Sequence, residues 1–74
     1  MAGLRPAPAR KLIRFLEQLG FARINQRGSH LKLRHPDGRT VIVPIHAGRD
    51  IKVPLLRRIL REIGVEPEDF AKHA

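Results

Sequence analysis

The apolar residues near the start of the chain recur with the spacing of an α-helix. They fall at positions 9, 12, 13, 16 and 19, the i, i+3, i+4, i+7 pattern of one helix face. Pro8 suits a first helical turn, where no N–H is needed. Gly20 suits a C-terminal stop, because glycine adopts left-handed backbone without steric cost. We therefore predict a first helix from Ala9 to Leu19, preceded by a short tail over residues 1–8.

The middle of the chain changes to the alternation of β-strands. Leu31 and Leu33 alternate with polar residues over residues 29–35, and a run rich in β-branched residues follows over 40–45. Between them, Pro36-Asp37-Gly38 has the composition of a tight turn. A weaker alternation over 21–26 ends at a turn predicted for Arg27-Gly28. Three such runs joined by short turns predict an antiparallel meander.

A second amphipathic helix is predicted over residues 54–63, with Gly64 as its stop. Pro67 can open one further short helical turn. The order α-β-β-β-α predicts an α+β fold, a three-stranded antiparallel sheet with two helices on one face, formed by a single domain over residues 9–74. The other face must be polar, and the middle strand supplies it with His30, Lys32 and Arg34.

The charge indicates a polyanionic partner. The chain holds 15 Lys and Arg against 7 Asp and Glu, a net of +8, and residues 1–61 alone hold 14 basic and 3 acidic side chains, a net of +11. Such a surface most often binds nucleic acid, and the alternative is a basic surface that is only solvated. The aromatic residues are three Phe, with no Tyr or Trp, which disfavours reading of single strands by base stacking.

Several classes of function are disfavoured by composition. With no cysteine, the chain has no disulfide, thiolate zinc site or cysteine nucleophile, and we expect a cytoplasmic location. We expect no signal peptide in residues 1–8 and no membrane span, since no apolar run approaches about 18 residues. No HExxH or similar spacing is present, so we expect no metal or other cofactor.

His30 is the strongest candidate for catalysis. It follows Arg27-Gly28-Ser29 on the polar face, beside Lys32, and histidine is the usual general base near neutral pH. RNA supplies its own nucleophile, the 2′-hydroxyl, so one base and cations on the phosphate make a minimal ribonuclease. The alternative is a surface histidine that only touches phosphate. We expect RNA contacts from Arg27, Ser29, Lys32 and Arg34.

Two further groups are left open by the sequence. His46 lies in a glycine-containing loop, where it is either an acid partner for His30 across the sheet or a loop residue without a role. Arg57, Arg58 and Arg61 lie on the outer side of the second helix and form either a solvated face or a phosphate track.

The motifs together resemble the HicA family of toxin messenger-RNA interferases, also called the YcfA-like family. The similar segments run in order from Lys11 to Val65: 12–21 as the opening helix, 26–30 as the Gly-Ser-His motif, 34–39 as the hairpin, 41–44 as its next strand, and 56–60 followed by Gly64 as the closing helix. One departure is Val53-Pro54, which stands where members commonly have a Gly-Thr pair, so the hydroxyl cap is missing.

The resemblance implies a double-stranded-RNA-binding-like fold and metal-independent cleavage of messenger RNA, with His30 as the active histidine. It also implies a cognate HicB-type antitoxin that masks this histidine, and we expect the free toxin to be a monomer. Two other hypotheses stay open: a non-catalytic RNA-binding module of the same fold, and a subunit whose basic surface binds an acidic protein.

Overall fold

The computed structural model describes residues 3–73. It contains three helices and five strands among these residues, in the order β1 (Ala7–Pro8), α1 (Ala9–Gln18), β2 (Ala22–Arg27), β3 (His30–Arg34), β4 (Thr40–Pro44), β5 (Asp50–Ile51), α2 (Val53–Glu62) and α3 (Pro67–Lys72). The predicted α+β class and the α-β-β-β-α order of its main elements are confirmed.

The main sheet is the predicted antiparallel meander in the order β2-β3-β4. One face is buried by Leu31, Leu33, Val41 and Val43, each at most 3% exposed, and these pack with α1 and α2 in a single core. Every residue of β2 is exposed, and Ile24 stands at a β-bulge between Arg23 and Asn25. The helices therefore cover one face and leave the other open.

Both main helices end as their glycines predict. At the end of α1 the N–H of Phe21 donates to the Leu16 carbonyl at 3.0 Å, and Gly20 has φ +106°. At the end of α2 the N–H of Val65 donates to the Leu60 carbonyl at 2.9 Å, and Gly64 has φ +74°. Both are Schellman caps, which satisfy the last helical carbonyls; after α1 the chain turns into β2, and after α2 it turns into α3.

The start of α2 shows the consequence of the Val53-Pro54 pair. Lys52 precedes the helix and makes no side-chain cap hydrogen bond, while Pro54 occupies the first turn. Proline lacks the N–H that a hydroxyl cap would otherwise satisfy, so the helix begins without that cap.

A second, two-stranded sheet was not predicted from the sequence. β1 pairs antiparallel with β5, with Ala7 opposite Ile51 and Pro8 opposite Asp50. Ala7 and Ile51 are both buried, and Leu4 packs against the same core. The segment predicted as a tail over residues 1–8 therefore ends in a short strand that holds the loop before α2.

Phe70 of α3 completes the core. It is 3% exposed, and its ring meets the ring of Phe15 edge-on with centroids 5.1 Å apart. This contact packs α3 against α1. Within residues 3–73, no helix has the length and apolar character that crossing a membrane requires.

The hairpin between β3 and β4 joins the ends of both main helices. Asp37 accepts hydrogen bonds from the Arg39 backbone N–H at 3.0 Å and from Arg39 Nε at 2.7 Å. The backbone hydrogen bond from Arg39, assisted by its side chain and charge, holds the pKa of the Asp37 carboxyl below its ordinary value. Arg39 Nη1 in turn donates to the Ile63 carbonyl at the end of α2.

Candidate functional site

The open face of the sheet carries its polar residues in three cross-strand rows. His30 of β3 lies opposite Arg27 and Pro44, Lys32 opposite Asn25 and Ile42, and Arg34 opposite Ala22 and Thr40. Directly opposed residues share a face of an antiparallel sheet, so the rows form one continuous surface. The sequence-predicted residues Arg27, His30, Lys32 and Arg34 all lie on this surface and are all exposed.

The turn that precedes His30 is held by backbone contacts. Gly28 has φ +56°, a conformation that few other residues adopt. Its carbonyl accepts a hydrogen bond from the Gln26 side chain at 3.0 Å, and the Ser29 carbonyl accepts one from the Ile45 N–H. Ser29 is half-buried, and its hydrogen bond with Ile45 is made by its backbone. These bonds place His30 at the first position of β3, on the solvent side of the sheet.

A cleft of about 560 Å³ lies at the β4 edge of the sheet, where this surface meets the side of α2. The sheet contributes His30 and Lys32 together with the apolar side chains of Ile42 and Pro44. The helix contributes one stripe at i, i+3, i+4 and i+7, namely Leu55, Arg58, Ile59 and Glu62. The cleft thus joins a histidine and two cations on walls that are partly apolar.

The cations of the cleft have no acidic partner within the described chain. Over residues 3–73 the Lys and Arg ion pairs are Arg23 with Glu17 at 3.3 Å and Arg39 with Asp37 at 2.7 Å. Lys32 and Arg58 take part in neither, and Glu62 is not paired with either of them. Their positive charge is therefore available to an anionic ligand.

His46 does not line the cleft of His30. It lines an adjoining hollow of about 400 Å³, which shares Pro44 and Leu55 with the cleft. The two predicted histidines thus lie in neighbouring recesses rather than in one.

Arg58 is the site residue that the sequence left undecided. Arg57 and Arg61 line a different hollow together with Val65 and Pro67. Of the three helix arginines, Arg58 lines the cleft because it borders the apolar stripe, between half-buried Leu55 and buried Ile59. The position of Arg58 next to the buried Ile59 could have indicated from the sequence that it lies near the sheet. The sequence does not give the rotation of α2 against the sheet edge, because tertiary packing sets it.

The chemistry of the cleft is that of a base beside anion-binding groups. An exposed imidazole can accept a proton, and an ammonium and a guanidinium can hold a phosphoryl group and its developing charge. In the described part of the chain, no three His, Asp or Glu side chains are grouped closely enough to hold a metal ion.

Fold and site together define a small α+β domain with a cationic open sheet face that includes a histidine. A family model described as "HicA toxin of bacterial toxin-antitoxin" matches residues 9–65. This match spans most of the 74 residues, and the chain belongs to the HicA toxin family. It is accordingly a toxin of a toxin–antitoxin system, and family membership implies a cognate antitoxin. A comparison with curated proteins gives no match.

Proposed function

We propose that this toxin is an endoribonuclease that cuts messenger RNA with His30 as the general base. The observation that carries the proposal is the position of His30, exposed at the edge of a cleft that also holds the unpaired cations Lys32 and Arg58. Family membership supports it, since the histidine stands in the Gly28-Ser29-His30 motif.

The reaction uses the substrate's own nucleophile. His30 takes the proton of a ribose 2′-hydroxyl, and the 2′-oxygen attacks the adjacent phosphorus. The bond from phosphorus to the 5′-oxygen breaks, and the leaving oxygen takes a proton from water. His30 gives its proton to the hydroxide that remains, so the imidazole is ready for another turnover. The products are a 2′,3′-cyclic phosphate and a 5′-hydroxyl. A positioned base contributes about 10²–10⁴-fold to such a step.

Lys32 and Arg58 stabilise the phosphorane-like transition state, which carries more negative charge than the ground state. One fixed donor at such a charge is worth about 10²–10³-fold. Arg27 and Arg34 lie on the same face in the rows beside His30 and Lys32, and they hold neighbouring phosphates. Ser29 acts through its backbone, which fixes the turn before His30.

The partner of the free toxin is a HicB-type antitoxin in this proposal. An antitoxin with an acidic surface complements the charge of residues 1–61, which is +11. By covering the cleft, it blocks access of RNA to His30. The two proteins are expected to co-purify when expressed together.

The test compares the wild-type chain with His30→Ala in growth and RNA integrity followed together. We expect His30→Ala to lose cleavage and toxicity while RNA binding persists. A substrate with a 2′-deoxyribose at the cut site should resist the wild-type chain, because it lacks the nucleophile. Full toxicity of His30→Ala ends the proposal.

The non-catalytic RNA-binding module is distinguished by the same assay. It predicts salt-sensitive binding, with a slope of about −0.7 per phosphate contact on single strands, and no cleavage products at any incubation time.

A further inference from the structure

The hollow next to the cleft is built from the segment that connects β4 to α2. Its apolar lining comes from Pro44, Ile51, Pro54 and Leu55, and its charged lining includes Arg49 and Lys52. Ile51 is buried, Pro44 and Leu55 are half-buried, and both cations are exposed. A recess with apolar walls and a cationic rim suits a ligand with a flat apolar ring and an attached anion.

The segment is fixed at both ends. At its start, the Ile45 N–H donates to the Ser29 carbonyl, directly before His30. At its end, β5 pairs with β1, so the N-terminal segment holds Ile51 in place. Between them, the Arg49 N–H donates to the His46 carbonyl at 3.0 Å in a turn that contains Gly48 at φ +74°. These contacts tie the hollow to the residue directly before His30 and to the N-terminal strand.

The hollow and the cleft adjoin each other. Pro44 and Leu55 line both, and Pro44 lies directly opposite His30 in the sheet. A polymer with one phosphate at His30 and Lys32 can therefore place its next unit in the hollow. At about 400 Å³, the hollow falls in the size range of small-ligand sites, roughly 300–1,000 Å³.

We propose that this hollow is a second nucleotide subsite, which takes a nucleotide neighbouring the scissile phosphate and so selects single-stranded RNA. The inference rests on the proposed ribonuclease function of the cleft. The base packs on Pro44, Ile51 and Leu55, while Arg49 and Lys52 hold its phosphate. A base paired inside an A-form duplex is not free to enter such a recess, whereas an unpaired base is.

Asp50 also lines the hollow, opposite Pro8 of β1. Arg49 and Lys52 flank it in sequence, so the local charge stays positive at neutral pH without any contribution from His46. The hollow therefore favours an anionic unit of a polymer over a neutral or cationic one.

The test measures RNA binding separately from cleavage. Binding is followed by fluorescence anisotropy on the His30→Ala background, with single-stranded RNAs of mixed sequence lengthened one nucleotide at a time from two to eight. We expect the combined Arg49→Ala and Lys52→Ala changes to weaken binding of the longer RNAs by at least about tenfold, because each charged hydrogen bond lost is worth about tenfold or more. The affinity gained on lengthening should shrink by the same factor.

The matched control is Arg57→Ala with Arg61→Ala, which removes the same charge from the other side of α2. It should leave the length dependence unchanged. The subsite is overturned if the two double variants weaken RNA binding equally. It is also overturned if the Arg49→Ala and Lys52→Ala chain gains as much affinity on lengthening as the chain without these two changes. Equal affinity for a duplex of the same length overturns the selection of single strands.

The two proposals fail separately. If the wild-type chain makes no cleavage product, but the Arg49→Ala and Lys52→Ala changes remove the length-dependent affinity, the ribonuclease proposal falls. The subsite then stands as a binding site. If cleavage depends on His30, but the Arg49→Ala and Lys52→Ala changes made in a chain that keeps His30 leave binding and cleavage of all lengths as before, the subsite falls and the ribonuclease proposal stands.

Discussion

His35 Nε2 lies 3.0 Å from the carbonyl oxygen of Leu19, the residue that caps α1. The other ring nitrogen, Nδ1, accepts a hydrogen bond from the Asp37 backbone N–H at 3.1 Å. Because Nδ1 accepts in this contact, Nε2 is the ring nitrogen that donates, and it donates to the Leu19 carbonyl. The ring also meets Phe21 edge-on with centroids 5.1 Å apart. One histidine of the hairpin therefore ties the sheet to the end of the first helix.

Replacing His35 by alanine should lower the free energy of unfolding by about 1–3 kcal/mol, because the Leu19 carbonyl and the Asp37 N–H lose a partner. Urea unfolding of the purified chain measures this change. His46→Ala is the matched control, since His46 is exposed, and it should change stability by less than about 0.5 kcal/mol. If both variants lower the free energy of unfolding by similar amounts, the hydrogen bonds of His35 contribute nothing particular to stability.

Gly20 is constrained by the same histidine. Its φ is +106°, and a Cβ built there would lie 2.9 Å from His35 Nε2. Gly38 has a similar φ of +100°, but nothing lies within 4 Å of its Cβ position. Alanine substitutions at Gly20 and Gly38 should therefore share the backbone strain, and only the one at Gly20 should also contact the His35 ring.

We expect Gly38→Ala to cost about 1–2 kcal/mol from strain alone and Gly20→Ala to cost more, because the added methyl displaces the ring from Leu19. In a His35→Ala background the excess cost at Gly20 should disappear. Chemical unfolding of the two single variants and the double variant gives the comparison. An excess that persists without the imidazole would locate its cause elsewhere.

The chain's local chemistry predicts these tight connections well. Gly20 and Gly64 predict both helix ends, and the alternation of Leu31 and Leu33 predicts which face of β3 is buried. In each case a nearby residue fixes the backbone or the face, and tertiary packing agrees with it. The position of His30 on the open face follows from the same alternation.

The features that the sequence does not predict depend on long-range packing. β1 and β5 have two residues each, too few for any alternation, and their pairing depends on where the N-terminal segment meets Ile51. Arg58 differs from Arg57 by one helical position, and only the rotation of α2 decides which of them lines the cleft. His46 lies in its own hollow because the Ile45 contact with Ser29 turns the loop there.

Asp37 should make stability depend on pH in the acid range. Its pKa is lower in the folded chain than its ordinary value, chiefly through the hydrogen bond from the Arg39 N–H. The charged carboxylate therefore contributes stability at pH values above its unfolded pKa, and this contribution is lost as the pH falls through the folded pKa.

Asp37→Asn keeps an acceptor oxygen but removes the charge. We expect the difference in unfolding free energy between the wild-type chain and this variant to be constant near neutral pH and to shrink below about pH 4. Urea unfolding at pH 7, 5 and 3 measures it. A difference that does not change with pH would assign the effect to the shape of the turn instead of its charge.

Arg58 offers the sharpest test of the cleft, because the chain supplies its own control one residue away. Arg57 and Arg58 have the same side chain, are both exposed and lie in the same helix, but Arg58 lines the cleft of His30 and Arg57 lines the hollow beside Pro67. Removing either one changes the net charge equally. Any difference between the two variants therefore reports on position and not on overall electrostatics.

Arg58→Ala should lower the single-turnover rate of RNA cleavage about 10²–10³-fold, the loss of one donor to the phosphoryl oxygens, where negative charge develops. Arg58→Lys should recover part of the rate, because it keeps the charge but not the planar pair of donors. Arg57→Ala should cleave like the wild-type chain, and unfolding curves should show that all three variants remain folded. Equal rates for Arg57→Ala and Arg58→Ala would remove α2 from the active cleft and leave His30 and Lys32 to act from the sheet alone.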